Sequence, residues 1–167
     1  MRAFAVSGYS GSGKTTIIER IVKALCERGH SVITVKSSRH EIKKEEGTDT
    51  WKHQQAGAKA TIMVGPDGST VYYRNRRPLR DLIRPDDADY LIIEGMKSSD
   101  IPKFWCVGDT RFEIENIPSS AKAIVFWGER TQSTDSEIPL VQSDDIDRLL
   151  TIIEQYAIDI SELNWQI

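Results

Sequence analysis

The stretch Gly8-Tyr9-Ser10-Gly11-Ser12-Gly13-Lys14-Thr15 constrains this chain more than any other feature. Glycines at its start, middle and end let the backbone curl until successive N–H groups point inward at one anion, an arrangement that side chains would obstruct. A lysine followed by a hydroxyl residue then supplies a cation and a metal ligand. The pattern G-x-x-x-x-G-K-[ST] arises by chance in about one chain in a hundred of this length. Its context narrows the reading further. Ala3–Val6 is an apolar run of strand length leading in, and from Lys14 onward Ile17, Ile18, Ile21, Val22 and Leu25 form one helical stripe closed by Gly29. A strand feeding a glycine loop that opens a helix predicts a bound nucleoside triphosphate at Gly8, Tyr9, Ser10, Gly11, Ser12, Gly13, Lys14, Thr15 and Thr16. In that reading Lys14 meets the β- and γ-phosphates and Thr15 completes the shell of a Mg²⁺ ion.

Val32–Val35 is a second apolar run, so the first 35 residues form a strand–helix–strand unit with parallel strands. Asp49–Ala56 reads as a short helix closed by Gly57. Ala60–Val64 and Thr70–Tyr73 flank Gly65-Pro66-Asp67-Gly68, a hairpin turn in which glycine is expected at positive φ, making the sheet mixed. Leu79–Arg84 reads as one or two helical turns. Leu91–Glu94, Lys103–Val107 and Ala123–Trp127 read as strands, and Asp144 opens a last amphipathic helix carrying Ile146, Leu149, Leu150 and Ile153. The expected fold is α/β: a mostly parallel sheet with helices on both faces, the phosphate-loop NTPase fold, plus an antiparallel hairpin extension. The length of 167 residues suits one nucleotide-binding domain spanning 1–167, with the extension at 58–75 inside it.

A triphosphate site needs an acidic group near the metal, brought by the C-terminal end of a neighbouring strand. Leu91-Ile92-Ile93-Glu94 has that form, so Glu94 is a metal-supporting candidate; the alternative is a plain strand-end charge. Asp49 is the second candidate for metal or water, against a role as cap of its own helix. Lys36 ends the second strand on the same edge as the loop and is a candidate nucleotide contact. Lys14, Glu94 and Asp49 are thus the candidate catalytic residues, and Thr15, Glu94 and Asp49 the metal set. The charge run Glu41–Glu46 reads as a solvated loop, and His40 and His53 as solvated histidines without metal-ligand spacing. Arg74, Arg76, Arg77, Arg80 and Arg84 make a basic cluster that either guards a strand edge or meets an anionic ligand or partner. Twenty-two basic against 25 acidic residues, net −3, argues against nucleic acid as a partner. No apolar run reaches the length of a membrane span. Cys26 and Cys106 have no partner spacing and read as core thiols of a reducing, cytoplasmic compartment. Trp51, Trp105 and Trp127 read as core or interface bulk. The hairpin edge, with Trp105 and Trp127 as apolar area, predicts a homodimer.

Taken together these segments resemble the molybdopterin-guanine dinucleotide biosynthesis protein B family, MobB. The resemblance is carried by Val6–Thr16, by Val35-Lys36, by Asp49-Thr50-Trp51-Lys52-His53 with Ala56-Gly57-Ala58, and by Ile93-Glu94-Gly95-Met96-Lys97 with Pro102-Lys103. It departs at Ser37-Ser38-Arg39-His40, where relatives carry a histidine-rich loop. It also lacks the Asn-Lys-x-Asp guanine signature, for Ala123–Trp127 runs into Gly128-Glu129-Arg130. The resemblance implies a dimeric GTPase of low intrinsic activity, with GTP and Mg²⁺ as cofactors. It further implies assistance to the guanylyltransferase that joins GMP to molybdopterin, giving the guanine dinucleotide form of the molybdenum cofactor. Low activity fits the sequence, which shows no evident arginine finger or water-orienting glutamine. The alternatives are a small-molecule kinase with the arginine cluster as a lid, and a non-catalytic nucleotide-sensing scaffold.

Overall fold

The computed structural model describes residues 1–38, 46–108, 112–128 and 137–163. They group into two compact units, Met1–Ser38 with Pro85–Leu163, and the segment ending at Arg84. His40, the Glu41–Glu46 run up to residue 45, and Glu129-Arg130 lie outside the described residues.

The first unit is built on a seven-stranded sheet. Its strands are β1 (Arg2–Gly8), β2 (Val32–Lys36), β5 (Tyr90–Glu94), β6 (Lys103–Gly108), β7 (Ala121–Phe126), β8 (Leu140–Gln142) and β9 (Ile158–Asp159). They lie in the order β2-β5-β1-β6-β7-β8 and run parallel, except β9. β6 pairs with β1 only from Ala5 onward, and β9 takes up Arg2 and Ala3 antiparallel. The unit β1–α1–β2 therefore brackets β5, which enters between its two strands. β1 is central and buried on both faces, with Phe4 and Val6 on one side and the small Ala3 and Ala5 on the other.

Two α-helices, α1 (Lys14–Glu27) and α3 (Ile146–Tyr156), share one apolar cluster. Ile17, Ile21 and Leu25 of α1 meet Leu149, Leu150 and Ile153 of α3 over Phe4, Ile92, Phe104 and Val125. The opposite face carries a cluster of Trp105, Val107, Ala121 and Ile124, against which Phe112 and Ile117 pack on either side of a 3₁₀ turn at Ile114–Asn116. Both α-helices of this unit thus share one face, and the 3₁₀ turn at Ile114–Asn116 lies beside the cluster on the other. Gly29 (φ 87) ends α1 as expected: its N–H reaches Cys26 and that of His30 reaches Leu25, the paired bonds of a left-handed helix stop. No helix of the described residues is long and apolar enough to cross a membrane.

The second unit holds α2 (Asp49–Gln55), β3 (Ala60–Val64) and β4 (Ser69–Tyr73). The hairpin β3–β4 is a sheet of its own and does not extend the larger one, so the larger sheet is mixed only through β9. The turn closes by a bond from the Gly65 N–H to the Gly68 carbonyl, and neither glycine takes positive φ.

Two further expectations change. Cys106 is buried, and burial pushes its thiol up to about 12, as befits an inert core cysteine. Cys26 is exposed. Eight residues past Ile18, it has rotated about 80° off the buried stripe, and Leu25 takes the inward position. Trp105 is only 6% exposed and Trp127 packs against the α1–α3 cluster, so neither offers area for an interface. The exposed apolar area lies instead on the hairpin, where Ile62, Met63, Val64 and Val71 are at least 47% exposed.

The tightest point of the sheet is Gly8, at φ 138, opposite Cys106; a Cβ there would sit 2.0 Å from the Cys106 carbonyl oxygen. Gly11, at φ 74, has no atom within 4 Å of such a Cβ. Gly8→Ala is therefore expected to destabilise the chain by at least about 3 kcal/mol, combining backbone strain with a clash, and Gly11→Ala by about 1 kcal/mol from strain alone. Urea unfolding of both variants checks the difference, and equal midpoints would contradict it.

Candidate functional site

The ends of β1, β2 and β5 set the site. Val6 and Lys36 both stand opposite Glu94 in the register, so β2 and β5 finish level and β1 runs two residues further, to Gly8. From there β1 runs into the glycine loop, which turns on positive φ at Gly8, Gly11 and Gly13. The loop is tied to its own Tyr9 carbonyl, which accepts from the Ser12 hydroxyl at 2.9 Å and from the Lys14 ammonium.

The loop delivers α1 with an open N-terminus. Its cap residue is Gly13, which has no side chain to cap with, and no acidic residue lies in the first turn. Both other α-helices are capped by side chains, Thr48 for α2 and Asp145 for α3. The first N–H groups of α1 therefore have no side-chain acceptor, and the positive end of the helix faces outward beside Lys14 and Thr15. Burial lowers the Lys14 pKa below the usual lysine value. The nearby ammonium groups of Lys97 and Lys36 push the same way, while Glu94 opposes them.

Glu94 anchors the acidic side. It is 17% exposed, accepts from the Thr15 hydroxyl at 3.5 Å, and lies 3.5 Å from the Lys36 ammonium. The ion pair is open to water on the lysine side, so it orients the carboxylate more than it stabilises the fold. A hydroxyl and a carboxylate oxygen at the mouth of the glycine loop are hard donors of the kind that suits Mg²⁺, an ion that keeps several waters and takes few protein ligands. No cluster of three or more His, Cys, Asp or Glu able to hold a metal occurs among the described residues.

Within the first unit the structure thus brings together Lys14, Thr15, Lys36 and Glu94. Asp49 belongs to the second unit, where it begins α2 and pairs with Lys52 at 3.2 Å. The capping role weighed for it falls to Thr48, whose hydroxyl accepts from the Trp51 N–H at 3.3 Å. His53 is exposed, as read.

Two residues at this edge carry more than sequence reasoning assigned them. Trp127, just past β7, donates its indole N–H to the Ser12 carbonyl at 3.1 Å. Its ring fills the space above Gly13, where a Cβ would come within 2.4 Å of the indole nitrogen. The Arg20 guanidinium lies 5.0 Å from the ring centroid and donates to the Ser143 carbonyl at 3.1 Å. The phosphate loop is therefore braced from α1 and from the turn after β8. The available signal was the position of Trp127 at a strand end on the loop side of the sheet.

Comparison with known proteins agrees with this geometry. The family model for molybdopterin guanine dinucleotide synthesis protein B, MobB, matches residues 3–126. A molybdopterin-guanine dinucleotide biosynthesis adapter protein of Haemophilus influenzae is 33% identical over 104 residues, which cover 59% of this chain and 58% of that one. A Methanocaldococcus jannaschii relative named in the same terms is also 33% identical, over 65% of this chain and 48% of its own length. The matches thus span about half the length of these curated relatives. The crystal structure of Bacillus subtilis MobB superposes with a TM-score of 0.74 at 26% identity, over 91% of this chain and 98% of that one. Since the family match runs from β1 through β7 and takes in the whole loop edge, the chain belongs to the MobB family.

Proposed function

We propose that this chain binds GTP with Mg²⁺ at Gly8–Thr16, Lys36 and Glu94, hydrolyses it slowly, and assists the attachment of GMP to molybdopterin. The observation that carries the reading is the open loop itself: an uncapped helix N-terminus with Lys14 and Thr15 beside the Glu94 carboxylate. The relatives' shared name, molybdopterin-guanine dinucleotide biosynthesis adapter protein, supplies the process, the guanine and a molybdopterin partner. On this reading the chain works in the cytoplasm beside a guanylyltransferase.

In this scheme the Lys14 ammonium moves from the Tyr9 carbonyl to the phosphate oxygens, and the first N–H groups of α1 take the remaining charge. Thr15 and Glu94 would hold a Mg²⁺ ion, which would supply neutralisation of charge on the triphosphate. Asp49 is kept as a proposed further metal or water contact. The word adapter favours a second reading, in which nucleotide occupancy controls partner binding and turnover is incidental.

Titration with a fluorescent GTP analogue tests the site. Lys14→Ala is expected to weaken binding by about 2 kcal/mol or more with little effect on folding. Unchanged affinity would remove the phosphate assignment, and tighter binding of ATP than GTP would remove the guanine preference. Glu94→Gln is expected to lower phosphate release across a Mg²⁺ titration while metal-free nucleotide binding stays nearly intact. Equal rates would reduce Glu94 to a strand-end charge.

We also propose that the chain is a homodimer assembled through the hairpin. A two-stranded hairpin with Ile62 at 65% and Val64 at 80% exposure is poorly stable alone, and a second copy is the commonest cover for such a surface. The neighbouring arginines, among them Arg77 over the Tyr73 ring at 5.3 Å, then flank the joint and suit an anionic pterin phosphate or an acidic partner. Light scattering at micromolar concentration should give twice the mass of one chain, and Val64→Lys should return the mass of one.

A further inference from the structure

Past Glu94 the chain turns sharply, and the turn is organised around a buried lysine. Gly95 (φ 102) and Met96 (φ 52) both take left-handed backbone, and Met96 is the one non-glycine residue to do so among the described residues. Lys103, the first residue of β6, has no exposed surface. Its ammonium donates to the carbonyls of Met96 at 2.9 Å, Lys97 at 3.2 Å and Ser99 at 2.6 Å, and lies 3.3 Å from the Ser99 hydroxyl. Ser120 adds a bond to the Ser99 carbonyl at 3.3 Å.

An ammonium has three donors and no acceptor, so a ring of carbonyls is its natural complement. Keeping it buried without a carboxylate in contact is still costly. Burial pushes Lys103 down to about 8, with Asp100 opposing, so the group stays charged at neutral pH. A strained Met96 and a buried cation are two costs borne by the one eight-residue connection from β5 to β6, and such costs collect where a turn must present something.

What the turn presents is Lys97. Its ammonium lies 5.9 Å from the ring centroids of both Tyr9 and Trp105, which themselves meet edge to face at 5.9 Å. Tyr9 is the second residue of the phosphate loop, and its carbonyl is the one that holds Lys14. Lys97 makes no ion pair among the described residues, is exposed, and is close enough to Lys14 to disfavour that residue's charge. Among the described residues three lysines, 14, 36 and 97, border the loop together with the carboxylate of Glu94.

We propose that Lys97 is a second phosphate-contacting cation of this site, and that Lys103 is the positioning residue that sets it there by gathering the carbonyls of Met96, Lys97 and Ser99. The proposal rests on the phosphate-binding reading above and adds to it a charge outside the glycine loop. Lys97 takes the place of a charge that many phosphate-loop proteins draw from an arginine.

The test is calorimetric titration of the full chain with inorganic tripolyphosphate, free of magnesium, with Lys14→Ala as reference. Lys97→Met keeps the length of the side chain and its contact with the rings while removing the charge. It is expected to weaken binding about tenfold at an unchanged melting temperature, and Lys97→Arg to restore most of the loss. Lys103→Met is expected to weaken binding by a similar factor, and adding Lys97→Met to it to change little more. If Lys103→Met does not fold, Lys103→Gln, which keeps N–H donors without the charge, takes its place in the same cycle. Lys97→Met binding like the wild type while Lys14→Ala binds weakly overturns this proposal and leaves the phosphate loop standing. Both variants binding like the wild type overturns the two together. Fully additive losses in the double variant overturn the role given to Lys103.

Discussion

The contact between the backbones of β1 and β6 at Gly8 and Cys106 governs the rest of this structure. Because no Cβ fits there, the two strands close to sheet distance at the point where β1 must stop and the loop must begin. The Tyr9 N–H bonds to the Cys106 carbonyl at 3.3 Å, so the loop departs from a strand end that cannot shift. On the other side β5 ends at Glu94, opposite Val6, and its carboxylate lies 3.5 Å from the Thr15 hydroxyl in the first turn of α1. A phosphate loop needs a rigid base because its N–H groups act by pre-set direction. The sheet supplies that base on both flanks of β1.

The fold and the site differed in how readable they were. Patterns of one period within one segment were legible: the α1 stripe, the stop at Gly29, the strand that ends in Glu94, and the glycine loop all appear where local chemistry puts them. What escaped depended on partners distant in the chain. The insertion of β5 between β1 and β2 leaves no trace in either strand, and nothing in the pattern of β3 and β4 says that they pair only with each other. Cys26 was misread because an i, i+4 series drifts around a helix, so its third member had left the core side.

The same distinction holds at the site. Lys14 and Thr15 belong to a motif that carries its own mechanism, and Glu94 could be placed by the rule that ligands meet strand C-termini. Trp127 and Lys103 could not. Each acts on backbone carbonyls, of Ser12 and of Met96, Lys97 and Ser99, and a carbonyl has no sequence signature. A wholly buried lysine at the start of a strand reads as a polar residue at the strand mouth until the structure shows what encircles it.

The position of β5 also has a consequence for how the chain comes to be folded during synthesis. The edge that carries Lys36 and Glu94 joins residues on either side of α2 and the β3–β4 hairpin, and Gly8 meets its partner strand only at Cys106. The glycine loop is made before β6, so its base cannot be finished until Cys106 has left the ribosome. Helix α1 must therefore wait with its apolar stripe uncovered, a period of exposure that topology imposes. The cost of closing a loop grows only with the logarithm of its length, about 0.6 kcal/mol per doubling. Lengthening the segment between β2 and β5 therefore costs little and leaves the edge formed by β1, β2 and β5 unchanged.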